Sequence, residues 1–227
     1  MFYGMAKDGN RVHIRNADPD ANYYCPCCKS LLIQKRGQIN VWHFAHKTLA
    51  DCVSYYDGKS EWHRKMQELF PEKNREVYNN EFGRHFYDVL TDKNRIIEFQ
   101  HSPISVGEFE DRTECYRSHS LANNAEPPVW VFDWPDKTFY LAHRGEGNFR
   151  TVVWSRPSHL FYDGLTKDMP YCLWIRMRCT VRTLYTNRET KTEPAYMRVM
   201  KVSHDNRFLS GPIFTEQQFE QKEVYKL

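Results

Sequence analysis

The sequence predicts an α/β protein: a mixed sheet flanked by helices, with a small metal-binding module before it and a β-rich part after it. Three observations predict this. Two β-type runs, 85–90 and 95–101, flank the turn residues Thr91-Asp92-Lys93-Asn94. Helical patterns lie on either side of that pair, at 61–70 and 106–119. Three cysteines crowd into Cys25-Pro26-Cys27-Cys28, with His43, His46 and Cys52 downstream.

A chain of 227 residues is long enough for one substantial core and a small appended module. With 41% hydrophobic and 15% aromatic residues it is globular rather than disordered. A net charge of +3 does not by itself demand a polyanionic partner. No run of about 18 apolar residues predicts a membrane span. Met1 to Ile14 lacks the apolar centre of a signal peptide. Seven cysteines are an odd number, and their crowding favours a metal site in a reducing cytoplasm over disulfides.

At the N-terminus, Lys7-Asp8-Gly9-Asn10 between Phe2-Tyr3 and Val12-His13-Ile14 reads as a hairpin. Cys25 and Cys28 have the CxxC spacing of a zinc knuckle, and His43 and His46 a matching HxxH. A short hairpin, Leu31-Leu32-Ile33 to Val41–His46, would bring them together. Cys25 and Cys28 form the firm pair. The other ligands come from His43, His46 and Cys52, making four of these five. Cys27 reads as a small buried hydrophobe.

Ser60 is a good N-cap for a helix from Glu61 to Phe70, with Trp62, Met66, Leu69 and Phe70 as its apolar stripe. Taken alone, Glu61 and Lys65 are a surface pair. Arg75–Tyr78 reads as a short strand in which Glu76 is a further candidate acid. In the following strand pair, period-2 alternation puts Glu98 and Gln100 on one face and Ile97 and Phe99 on the other. A hairpin places Asp88 near Glu98. Two close carboxylates among apolar neighbours call for a cation, and hard oxygen ligands suit Mg²⁺ or Mn²⁺. Ser105-x-x-Glu108 reads as a capping box. Val106, Phe109, Thr113 and Tyr116 then face the sheet. Arg112 is either a phosphate contact or a solvated arginine. The run Val129–Trp134 reads as a buried strand. Helix, three strands, helix, strand is the αβββαβ order of a restriction-endonuclease-like core.

Beyond residue 136 the pattern is weaker. Leu173, Ile175, Met177, Cys179 and Val181 alternate with Trp174, Arg176, Arg178, Thr180 and Arg182. This is either a solvated sheet face or a strand whose Arg176, Arg178 and Arg182 track phosphates while Trp174 stacks on a base. The tail from Thr215 reads as helical. The domains expected are a zinc-binding module over 1–58 and a second domain over 59–227, with its core at about 59–135 and a β-rich extension at about 136–227.

The combination resembles the competence-protein CoiA family, a branch of the PD-(D/E)XK nucleases, over roughly residues 1 to 135. The residues that carry the likeness are the zinc pattern, Ser60-Glu61-Trp62-His63, Asp88-Val89, Glu98-Phe99-Gln100-His101-Ser102-Pro103-Ile104, Glu108, and Arg112 to Tyr116. The resemblance implies a metal-dependent DNA endonuclease with Asp88 and Glu98 on the metal. It adds Glu61 and His63 as site candidates. Gln100 stands where the superfamily usually has Lys, which leaves open how the attacking water is activated. His101 ranks below His63, because alternation turns it away from Glu98. The resemblance points to DNA uptake or processing, recombination or genome conflict, with RNA not excluded as substrate. Alternatives are a nucleic-acid binding protein with a degenerate nuclease core, and a zinc-bearing adaptor. Oligomeric state is open, a homodimer being one option.

Overall fold

The computed structural model describes residues 1–39, 41–47, 52, 60–83, 85–135, 139–155, 171–182, 189–203 and 207–226. They form two compact units, Met1–Asp92 and Lys93–Leu227. A loop that the sequence predicts at 53–60 falls, apart from Ser60, outside the described residues, as do the stretch 158–164 and Arg188.

In the first unit, β1 (Tyr3–Met5) and β2 (Arg11–His13) form the expected hairpin, with Gly9 at φ 87° in its turn. With β3 (Tyr23–Tyr24), β4 (Leu31–Lys35) and β5 (His43–His46) they make an antiparallel sheet of order β2-β1-β3-β4-β5. Phe2, Tyr3, Ile14, Tyr23, Leu32 and Phe44 fill its core. Helix α1 (Glu61–Glu68) follows, with the Ser60 hydroxyl accepting from the His63 N–H. Of the expected stripe, α1 and its C-cap region bury Met66 and Phe70, and with them His63 and Gln67. Trp62 and Leu69 are only half-buried. Two polar side chains were inside the stripe, and apolar periodicity cannot see them.

Strands β6 (Arg75–Asn79) and β7 (His85–Leu90) pair antiparallel. Glu76 of β6 is a structural tie rather than a site acid. Its buried carboxylate accepts from the N–H groups of Phe2 at 2.7 Å and Tyr3 at 3.2 Å, with its own backbone at φ 47°. Arg11 lies 3.7 Å over the Tyr3 ring and donates to the carbonyls of Glu72 and Arg75, fastening the N-terminal hairpin to β6.

The second unit opens with β8 (Ile96–Gln100), all of it buried, then α2 (Val106–Ala122) and the buried strand β9 (Val129–Asp133). The order α1, β6, β7, β8, α2, β9 is the expected αβββαβ. Ser105 caps α2 through the Glu108 N–H, and the Glu108 carboxylate lies 3.6 Å from Arg112. Phe109, Thr113 and Tyr116 are buried as expected, whereas Val106 in the first turn is exposed. There follow β10 (Phe139–Arg144), β11 (Phe149–Trp154), β12 (Cys172–Met177), β13 (Cys179–Arg182), β14 (Glu189–Lys191), β15 (Ala195–Val199), β16 (Lys201–Val202) and β17 (Phe208–Thr215). Their order is β14-β13-β10-β11-β17-β15-β12-β9-β8, with β16 beside β17. The sheet is mixed: β8, β9 and β12 run parallel, and β12 is antiparallel to β15.

Tyr171–Arg182 is not one alternating strand. β12 ends at Met177, Arg178 is an exposed break, and β13 joins β10 at another place in the sheet. β12 lies between β9 and β15, so both its edges are paired, and Trp174 is 2% exposed against Phe214 and Phe219. Trp174 is therefore core, not a stacking platform. The tail is helical as expected: a capping box at Thr215 and Gln218 starts α3 (Glu216–Gln218), and turns at Phe219–Glu223 and Val224–Lys226 follow.

Candidate metal centre and candidate active site

The zinc-type knuckle is built by backbone first. Cys25 N–H donates to the Ser30 carbonyl at 2.9 Å, Lys29 N–H donates to the Cys25 carbonyl at 3.0 Å, and Lys29 adopts φ 61° to close the turn. The ligand atoms of Cys25, Cys28, His46 and Cys52 all lie within 4.8 Å of one another, so this cluster could hold a metal such as zinc. A tetrahedral ion with metal–sulfur bonds of about 2.3 Å and metal–nitrogen bonds of about 2.0 Å requires separations of about 3.8 Å (S···S) and about 3.5 Å (S···N). The Cys25 and Cys52 sulfurs are 3.6 Å apart, and Cys28 Sγ lies 3.4 Å from His46 Nε2. Those distances fit one shared ion. A disulfide needs about 2.05 Å. Burial pushes the Cys25 thiol up to about 12. At Cys28, burial is outweighed by hydrogen bonds with Ser30 and the neighbouring thiols, so that thiol sits below its ordinary value.

His43 is outside the cluster, and its Nδ1 lies 2.8 Å from the Val41 carbonyl. The HxxH spacing misled because these residues are on β5, where positions i and i+3 face opposite sides. Cys52 takes the fourth place. Cys27 is half-buried against the module's core.

In the first unit, Asp88 on β7 is 5% exposed. His63 Nε2 lies 2.8 Å from its Oδ1, and Gln67 Nε2 donates to the same oxygen at 3.0 Å and to the Asp88 carbonyl at 3.2 Å. His63 and Gln67 are one helical turn apart on α1, so the helix delivers both to one carboxylate. Gln67 was missed by the sequence reading; its spacing from His63 was the available signal. Glu61 goes elsewhere. It is exposed, forms an ion pair with Arg64, and lines a cavity of about 830 Å³ with Arg15, Arg36 and Trp42. The structure thus gathers His63 and Gln67, rather than Glu61, on Asp88.

In the second unit, Glu98 on β8 is 3% exposed. Arg112 Nη2 is bonded to its Oε1, and the Tyr116 hydroxyl donates to its Oε2 at 3.0 Å. Both partners come from one face of α2, again at a spacing of four. Arg112 is therefore an internal partner of Glu98 and not a solvated arginine. Gln100 is 2% exposed and its amide donates to the Ser102 carbonyl at 2.7 Å. Beyond β8, His101 Nδ1 lies 2.7 Å from Asp133 Oδ2, and Arg176 bonds Asp133 at 2.8 Å and Glu216 at 2.5 Å. Arg176 is thus engaged in an ion-pair row with buried Asp133 and with Glu216, its side chain 16% exposed, whereas Arg178 is exposed. Of Arg182 only the backbone strand is described. Asp88 and Glu98 belong to different units, and each is described with its own neighbours.

No helix of the described residues is long and apolar enough to cross a membrane. No curated protein and no solved structure matches the chain. The competence protein CoiA N-terminal domain matches residues 6–55, a span holding the four clustered metal-ligand candidates. The competence protein CoiA nuclease-like domain matches residues 52–143, which include Asp88, Glu98 and the α2 residues that hold Glu98. Joined across residues 6–143, these two matches place the chain in the competence protein CoiA family.

Proposed function

We propose that the chain is a metal-dependent endonuclease that hydrolyses phosphodiester bonds of DNA, in uptake, processing, recombination or phage–host conflict. The observation that supports it best is Glu98, a carboxylate 3% exposed on a β-strand of a nuclease-like domain. A buried carboxylate is costly unless it is paired or bound to a cation, and Asp88 repeats the pattern at 5% exposure. The two residues flank a short turn in sequence and supply hard oxygen donors for Mg²⁺ or Mn²⁺. Such an ion, when bound, lowers the barrier by polarising the phosphate and acidifying water. His63 and Gln67 orient Asp88, His63 stands ready to exchange a proton, and the Gln100 carbonyl oxygen orients the attacking water.

In this reading Zn²⁺ at Cys25, Cys28, His46 and Cys52 stabilises an N-terminal module over 1–58. The nuclease-like domain occupies 59–227. None of the seven cysteines is in a disulfide, which suits the cytoplasm. The test is cleavage of linear and circular DNA with Mg²⁺ or Mn²⁺, with and without chelator. Asp88→Ala and Glu98→Ala should each reduce cleavage by at least about 10³-fold while leaving DNA affinity equal or higher. Undiminished cleavage in both variants would sink the reading.

A second reading is a nucleic-acid binding protein with a degenerate core. It is favoured by the neutral Gln100, whose amide is already engaged with Ser102. Salt-dependent DNA binding with no cleavage under any divalent metal would decide for it.

A further inference from the structure

We propose that Arg112 is an exchangeable counter-charge: it neutralises Glu98 while no cation is bound, and turns to the substrate phosphate once Glu98 gives its oxygens to a divalent cation. This rests on the nuclease reading above and deepens it. β8 itself offers no cation near Glu98, since its residues are Ile96, Ile97, Glu98, Phe99 and Gln100. The positive charge comes from α2. Arg112 Nη2 takes Oε1 of Glu98, and Tyr116 takes Oε2 at 3.0 Å, so both carboxylate oxygens are in use.

Arg112 does not depend on Glu98 for its place. Its Nε donates to the Tyr116 hydroxyl at 3.0 Å, and its guanidinium carbon lies 5.3 Å from the Trp130 ring centre and 5.9 Å from that of Tyr116. Both rings are fully buried and fixed in the core. Glu108, one turn earlier on α2, is a second carboxylate 3.6 Å away. The guanidinium can therefore release Glu98 and remain charged in place, because Arg does not deprotonate. The Arg112 side chain is 14% exposed against 4% for that of Glu98, so the cation stands on the more open side of the pair. Its planar fork matches a phosphate as well as it matches a carboxylate.

Two charge effects follow. Arg112 and a divalent cation compete for one carboxylate, so the arginine weakens cation binding in the free protein. Once the carboxylate is shared with a cation, Arg112 lacks a full counter-charge, and a phosphate anion supplies it. Cation and DNA should then bind with positive coupling, each raising the affinity of the other.

The experiment measures Mn²⁺ binding to the full chain, read from the free-Mn²⁺ EPR signal and counting only the binding lost in Glu98→Gln. Arg112→Gln should bind Mn²⁺ about 5–10-fold more tightly, as expected for removing one nearby positive charge. It should cleave about 10²-fold more slowly, as expected for losing a charge-stabilising donor. A non-cleavable phosphorothioate oligonucleotide should raise the Mn²⁺ affinity of the wild type, and do so less in Arg112→Gln. Mn²⁺ affinity in Arg112→Gln equal to or below the wild type, with unchanged melting, would overturn the proposal and leave Arg112 a structural tie. If Arg112→Gln fails to fold, Arg112→Met removes the same charge while keeping a long side chain; it should tighten Mn²⁺ binding in the same direction, and no shift overturns the proposal equally. A wild type that neither binds Mn²⁺ through Glu98 nor cleaves DNA removes the nuclease reading, and this proposal with it. A wild type that does both, beside an Arg112→Gln that binds Mn²⁺ no better, removes this proposal alone.

Discussion

The ligand set of the metal cluster turns on single residues. His43 and His46 are both histidines of one short strand, yet only His46 reaches Cys25, Cys28 and Cys52. Replacing His46 or Cys52 by Ala should therefore lower the zinc content well below one ion per chain, whereas His43→Ala should keep about one. Metal analysis of the purified variants reads this directly. Equal zinc loss in His43→Ala and His46→Ala would show that the module binds its ion by another set. A titratable residue of the same module sets its acid response. His13 packs against the rings of Phe2 and Tyr3, and its Nδ1 accepts from the Arg15 N–H at 3.2 Å. Burial holds His13 below its ordinary value of 6.5, with nearby Glu76 opposing. The folded state thus resists a proton that the unfolded chain accepts. Its contribution is complete above that value and is lost as the pH falls below it. His43 is shifted down by burial too and acts in the same sense. His13→Asn keeps an acceptor in place of Nδ1 but does not titrate, so its melting temperature should fall less than that of the wild type between pH 7 and pH 5. Parallel pH curves for the two proteins would refute this.

At the scale of elements, β17 and β15 show how closely two strands can be required to approach. Gly211 lies where β17 passes Arg198 of β15, and a Cβ there would run into the Arg198 carbonyl oxygen and carbon. Since these are backbone atoms, no side-chain rotation relieves the clash. Gly211→Ala should destabilise the protein by about 2 kcal/mol or more, within the range of strong overpacking effects. Chemical denaturation would check it, and a loss below about 0.5 kcal/mol would mean the strand pair yields. The helix α1 makes the complementary point. Its apolar spacing shows that it is a helix and roughly where it starts, but its buried face is decided by Asp88, which draws in His63 and Gln67.

For the whole molecule, exposure separates the arginines that composition lumps together. Arg178 is exposed, while Arg176 is tied to Asp133 and Glu216. If Arg178 meets a phosphate, Arg178→Ala should reduce the slope of log affinity against log salt by about one unit. Arg176→Ala should act on stability instead, since it takes the arginine from the buried Asp133 carboxylate and leaves it with His101, at a cost of about 3 kcal/mol. Equal salt slopes for wild type and Arg178→Ala would assign phosphate contact to other residues. The contrast marks what could be read from the sequence. Local order needs only local signals, so the hairpin at Gly9, the Ser60 and Ser105 caps, the CxxC knuckle and the αβββαβ succession were all legible in the chain. The family motifs likewise named Asp88, Glu98 and the Arg112 to Tyr116 segment before any packing was known. Partnership between distant residues was not legible, because burial and pairing depend on which strand lies beside which. An arginine in an alternating run looks solvated until Asp133 and Glu216 prove to hold it, and a histidine at HxxH spacing looks like a ligand until the strand turns it away. The sequence alone determined the elements and their order as far as β9, and the residue types available for metal and phosphate chemistry. Only the tertiary structure decided that Cys52 joins His46, that Gln67 and His63 hold Asp88, and that Arg112 and Tyr116 close on Glu98, since a buried charge must find its partners wherever the packing of the chain puts them.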